Sequence, residues 1–122
     1  MIVPKLKHLH SPDLEANSLP ADPSDCSILI EAAVGPAESD GEEIFSFLAT
    51  TPANLARAAE MRWGRGLLIV EQFEWAQVRK AVERLLMHAS RDTWTEVAAE
   101  LSKNLDWEFE NYKRTASSPR AR

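Results

Sequence analysis

Two rhythms divide the hydrophobic positions of this chain. Up to Thr50 they mostly alternate, as half-buried strands do; beyond Pro52 they recur at three and four residues, as amphipathic helices do. Ile2–His10 alternates weakly and predicts a first strand. Ser11–Asp25 follows as a loop, because Pro12, Pro20 and Pro23 prevent regular structure. Cys26–Val34 is a stronger strand, with Cys26, Ile28, Ile30, Ala32 and Val34 on one face and Gly35-Pro36 at its end. The Asp-Gly signal in Glu38–Gly41 predicts an antiparallel hairpin to a third strand. That strand, Glu43–Thr50, carries Phe45, Phe47 and Ala49 on one face.

Thr51 then caps a helix whose first residue is Pro52, where a missing N–H costs nothing. This helix is expected over Pro52–Arg62, with Leu55, Ala56 and Ala59 inward. Leu67–Val70 is apolar on both faces and reads as a central, fully buried strand. A second helix spans about Glu74–Ala89 through Trp75, Val78, Val82, Leu85, Leu86 and Ala89. Thr93 and Glu96 form a capping-box pattern for a third, lined by Trp94, Val97, Ala98, Leu101 and Leu105. Asp106–Tyr112 reads as a separate short helix.

The fold class that follows is α+β: a single sheet of about four strands, largely antiparallel, with three helices packed mainly on one face. The segment from the third strand to Leu67–Val70 fits a parallel crossover. The sheet's other face would hold Leu29, Ala33, Ile44 and Leu48 among Ser27, Glu31, Ser46 and Thr50, a mixture suited to a contact surface. Residues 1–112 read as one domain and the basic segment 113–122 as a disordered tail.

Charge changes this picture more than composition does. A hydrophobic fraction of 44% is ordinary, but the net charge of −5 is unevenly placed. Residues 1–50 hold nine acids against Lys5 and Lys7; residues 51–122 hold twelve Lys and Arg against ten acids. An acidic half disfavours nucleic acid and steers towards a basic partner. Cys26 is the sole cysteine, so no intrachain disulfide forms, which agrees with a reducing compartment. Neither a signal-peptide pattern nor an apolar run of the ~18 residues a membrane span needs is present, and a cytoplasmic location is expected.

Little in the chain points to chemistry. His8 and His10 share a strand face, yet no third metal ligand accompanies them, and a structural role is expected. Cys26 leads an apolar face and reads as a small buried hydrophobe rather than a nucleophile. Gly64 and Gly66 lack the pattern of a phosphate loop. No acid, base and nucleophile converge, so no enzyme activity, metal or cofactor is expected.

Four segments carry a resemblance: KLKHLHSPD (Lys5–Asp13), GEEIFSFLATTPANL (Gly41–Leu55), GRGLLIV (Gly64–Val70) and DWEFENY (Asp106–Tyr112). Together they resemble immunity-protein family eight of bacterial polymorphic-toxin systems of the contact-dependent inhibition type. The resemblance implies a cytoplasmic protein that binds and neutralises a cognate toxin domain, with no catalytic residues to carry over. The expected partner is that toxin domain, with a basic nuclease as the natural fit to the acidic loops. The expected contact residues are Asp22, Asp25, Glu38, Asp40, Glu42 and Glu43, on charge asymmetry alone. The alternative is a small interaction module that self-associates, as a homodimer, through the open sheet face.

Overall fold

A long hairpin forms the middle of the sheet. A computed structural model describes residues 1–58 and 64–109. β1 (Pro4–His10), β2 (Ser27–Pro36) and β3 (Glu43–Thr50) form an antiparallel meander, with β2 and β3 in register from Ser27↔Thr50 to Val34↔Glu43. β3 then leads through α1 (Pro52–Arg57) to β4 (Leu67–Ile69), which pairs with β3 in parallel. α2 (Trp75–Met87), α3 (Trp94–Leu101) and β5 (Asp106–Trp107) complete the described elements. The order is β1-β2-β3-β4, and β5 shares β3's outer side with β4. The α+β class expected from the sequence is what the chain adopts.

The core lies between one sheet face and the helices. Ile28, Ile30, Ala32, Val34, Phe45, Phe47 and Ala49 meet Val78, Val82 and Leu86 of α2 and Val97, Ala98 and Leu101 of α3. Phe45 stacks on Trp107 at 6.3 Å and meets Trp94 edge-on at 6.5 Å. The Thr93–Glu96 capping box is formed as predicted. β1 contains a bulge between Leu6 and His8, which inserts Lys7. Leu6 faces the core before it and Leu9 packs on the core after it, so His8 and His10 both point to the opposite face.

Three expectations need correction. Leu67–Val70 is not a central, buried strand. β4 pairs with β3 alone through Leu67–Ile69 and is only half-buried, with Ile69 60% exposed. Its apolar run arises because Leu68 faces the core while Leu67 and Ile69 face the other side. α1 stops at Arg57, because Ala58 is already extended, and it buries no residue: Leu55 is half-buried and Ala56 exposed. The remainder of that expected helix includes residues outside the described ones, Ala59 among them. Asp106–Trp107 forms β5 rather than a helix, since β3 leaves Phe45 and Ser46 free beyond the end of β4, and helical backbone begins only at Glu108. Tyr112 and the tail 113–122 lie outside the described residues.

Candidate partner-binding surfaces

The acidic residues divide between two ends of β2. At one end, Pro36–Glu42 turns the chain into β3. Ser39 N–H bonds the Pro36 carbonyl at 3.1 Å, Ser39 Oγ accepts from Gly41 N–H at 3.0 Å, and Lys7 Nζ reaches the Ser39 carbonyl. Gly35 is required here: a Cβ would lie 1.9 Å from the Gly41 carbonyl oxygen. This turn presents Glu38, Asp40 and Glu42 to solvent, Glu42 lying 3.9 Å from His8.

Asp22 and Asp25 precede the other end of β2. With the strand rising about 3.3 Å per residue, they lie roughly 30 Å from the turn. Asp22 Oδ1 accepts from Ser24 N–H at 3.1 Å. Asp25 is half-buried and ion-paired with Arg57 of α1. The sequence therefore groups acids that the fold separates. Only Glu38, Asp40 and Glu42 form one exposed cluster.

Glu43 has a different task. Its Oε1 accepts from Trp94 Nε1 at 2.8 Å and from Trp107 Nε1 at 2.9 Å, tying α3 and β5 to β3. A carboxylate with two indole donors on it is largely spent within the molecule. Glu108 closes the same corner by accepting from Ile44 N–H at 2.6 Å. The alternation of β3 places Glu43 on the same side as Phe45 and Phe47, at the margin of the core; nothing in the local sequence marked its two distant partners.

The open sheet face carries His8, His10, Glu31, Leu29, Ile44, Ser46 and Leu48, continued by Leu67 and Ile69. His10 Nε2 lies 3.1 Å from Glu31. Ser27 and Thr50 share a 2.8 Å hydrogen bond across it, and Ala33 and Thr50 are buried. Gly66, at φ +81, turns the chain into β4 beneath Asp106, and Arg65 bonds the Ser102 carbonyl and Asp106 across that corner. The face is therefore narrower than the sequence suggested.

A third surface was missed. Beside β4, a cleft of about 460 Å³ is lined by Leu68, Ile69, Glu71, Glu74, Lys80 and Arg84 among others. An adjoining apolar pocket of about 190 Å³ reaches Phe47, Val82, Leu85 and Leu105. Two signals could have found it: the brevity of the apolar run between Gly66 and Glu71, and two like charges, Lys80 and Arg84, four residues apart on one helix.

Cys26 is buried, and burial, then the nearby Asp22 and Asp25 charges, push its thiol pKa up, away from the nucleophilic thiolate. Among the described residues, no group of three His, Cys, Asp or Glu is placed to hold a metal ion. No helix among them is long and apolar enough to cross a membrane. Comparison with curated proteins and with solved structures returns no match. The family comparison does return one, Immunity protein 8, matching residues 4–112 and hence all four segments singled out above. The chain belongs to the Immunity protein 8 family.

Proposed function

We propose that the protein binds one cognate toxin domain and neutralises it stoichiometrically, without chemistry of its own, in the cytoplasm of the cell that produces both. Membership of the Immunity protein 8 family over residues 4–112 carries this reading. The toxin is read as one delivered by contact into neighbouring bacteria. The exposed turn bearing Glu38, Asp40 and Glu42 is the proposed contact surface, and a basic nuclease cleft is its natural complement. Three carboxylates on a turn offer charge at a spacing that can replace phosphates in such a cleft. Asp22 is a secondary contact at the other end of the sheet. Asp25 and Glu43 contribute less, because each already has an internal partner.

A growth-rescue experiment tests the neutralisation. The C-terminal domain of the protein encoded immediately upstream is induced in a sensitive host, with and without this chain. Restored growth is the expected result; persistent killing with this chain expressed counts against the reading. The contact surface has a separate test. Glu38, Asp40 and Glu42 are all replaced with Ser, and Glu43 is left intact. Association with the toxin domain should slow by about tenfold or more at low salt and lose most of its salt dependence. An unchanged association rate would move the contact elsewhere.

A further inference from the structure

Among the described residues, the outer edge of β4 has no neighbouring strand. Leu48 N–H bonds the Gly66 carbonyl at 2.8 Å, and Val70 N–H bonds the Thr50 carbonyl at 3.0 Å. With the parallel register Ala49↔Leu68, these bonds direct the peptide groups of Leu68 towards β3. Those of Leu67 and Ile69 consequently point outward. Leu67 N–H is taken by the Gly64 carbonyl at 3.1 Å. Among the described residues, the Leu67 carbonyl and both peptide groups of Ile69 have no backbone partner. β4 itself contains no bulge, charge or proline; its sequence is Leu-Leu-Ile.

The charges beside the edge are arranged in order. α2 starts just after β4 and runs back along it: Glu71 and Glu74 lie at the C-terminal end of β4, whereas Leu67 shares a pocket with Ala81 and Leu85. Lys80 and Arg84 therefore line the other end of the same cleft. Among the described residues none of these four groups has an ion-pair partner, although Arg79 and Glu83 on the same helix pair with each other. The rim is acidic at one end and basic at the other.

We infer that the β4 edge binds a second copy of this chain, forming a two-fold dimer by antiparallel addition of β4 to its counterpart. Antiparallel pairing of two identical edges needs a two-fold axis normal to the sheet, which keeps both α2 helices on one side and reverses their directions. The acidic end of each rim then faces the basic end of the other, and every attractive pairing occurs twice. The exposed Ile69 gains cross-strand apolar neighbours on the open face. Because β4 has only three residues, the dimer is weak and concentration-dependent. This inference is independent of the toxin reading: the acidic turn at Glu38–Glu42 belongs to the β2–β3 connection, not to β4.

Sedimentation and light scattering of the full chain test it. The mass should rise with concentration from 13.7 kDa towards twice that value. Two charge-reversed chains, Glu71→Lys with Glu74→Lys and Lys80→Glu with Arg84→Glu, should each lose at least about tenfold in self-affinity, roughly 1.4 kcal/mol. Mixed in equal amounts, they should form a heterodimer, since one carries an all-basic rim and the other an all-acidic one. Heterodimer formation also shows that both chains are folded. Ile69→Lys should abolish the wild-type dimer. A monomer at every concentration would overturn the inference, and a partner other than a second copy would then own this edge. So would a dimer that survives both charge reversals, or two reversed chains that fail to combine.

Discussion

The two sides of this sheet end in opposite ways. On the β1 side, the edge is guarded at several points. Ile2 exchanges hydrogen bonds with Arg91, N–H to carbonyl at 2.6 Å one way and 3.2 Å the other. The bulge at Lys7 breaks the ladder, Lys5 and Lys7 charge it, and Asp13 Oδ2 accepts from Leu29 N–H at 3.2 Å where β1 has ended. On the other side, β3 is covered by two short strands, β5 over Phe45–Ser46 and β4 over Leu48–Thr50. β4 itself is apolar and, among the described residues, pairs with no strand on its outer side. A protein that guards one edge so thoroughly and leaves the other open is using the open one, or relying on its shortness alone.

The largest effect should come from Glu43→Ala. This single carboxylate holds Trp94 and Trp107, and so fastens α3 and β5 to the outer side of β3. Its removal takes the shared acceptor from two half-buried indoles, at a cost of about 2–4 kcal/mol in urea unfolding. Tryptophan fluorescence should shift to the red as Trp107 leaves Phe45. A cost below about 1 kcal/mol would mean that packing, not this carboxylate, retains β5.

Next is Thr51→Val, at the exit from β3 towards β4. Thr51 Oγ1 accepts from Cys26 N–H at 3.0 Å and from Asn54 N–H at 3.3 Å, and it is fully buried. The valine keeps the shape and orphans the Cys26 amide and the start of α1. Thermal and urea unfolding should register a loss of about 2 kcal/mol. Equal stability would show that α1 needs no cap to direct the crossover.

Much of this was legible because the local signals agreed with the global fold. The β2–β3 hairpin, the alternation in β2 and β3, and the Thr51 and Thr93 caps each depend on residues a few positions apart. The position of β4 was not legible. A run apolar on both faces reads as central, yet here Leu68 serves the core and Leu67 and Ile69 the far face. β5 was missed for a related reason: two residues suffice to pair with β3 once Phe45 and Trp107 stack, and periodicity cannot be read from two residues. Among the candidate site residues, the sequence indicated that acids cluster in the first half. It could not show that ten residues of β2 hold Asp22 and Asp25 apart from Glu38, Asp40 and Glu42, nor that Glu43 is occupied by two indoles contributed by distant segments.

Deleting Lys7 would erase the difference between the two edges with little cost to the fold. Leu6 pairs with Val34 and His8 with Ala33, so removing the inserted residue leaves a regular ladder with every other side chain on its present face. Stability should change by less than about 1 kcal/mol. Association should change more. With a second regular edge and one charge fewer on it, the closed dimer expected of wild type should give way to open-ended chains, visible by sedimentation as species beyond a dimer. A deletion variant that sediments like wild type would show that Lys5 and the Arg91 bridge guard β1 without the bulge.

The smallest effect concerns how the guarded edge is fastened at its start. Glu100 lies 3.0 Å from Arg91, whose backbone bonds Ile2, and 2.9 Å from Lys103. The hydrogen bond from Lys103, then the charges of Lys103 and Arg91, hold the Glu100 carboxyl below its ordinary value of 4.5. A carboxyl whose pKa is lower folded than unfolded stabilises the fold fully above its unfolded value. That contribution fades as pH falls through the lowered, folded value. Relative to the intrinsic exchange rate at each pH, the Ile2 and Arg91 amides should therefore lose protection under acid, beyond the change seen at Val97 and Leu101 in the core. Glu100→Gln should remove the excess, because the amide carries no charge at either pH. The group is solvent-exposed, so added salt should weaken the effect in the wild-type chain as well. An acid-induced loosening of Ile2 that persists in Glu100→Gln would assign it to another carboxylate and free Arg91 from any part in closing the β1 edge.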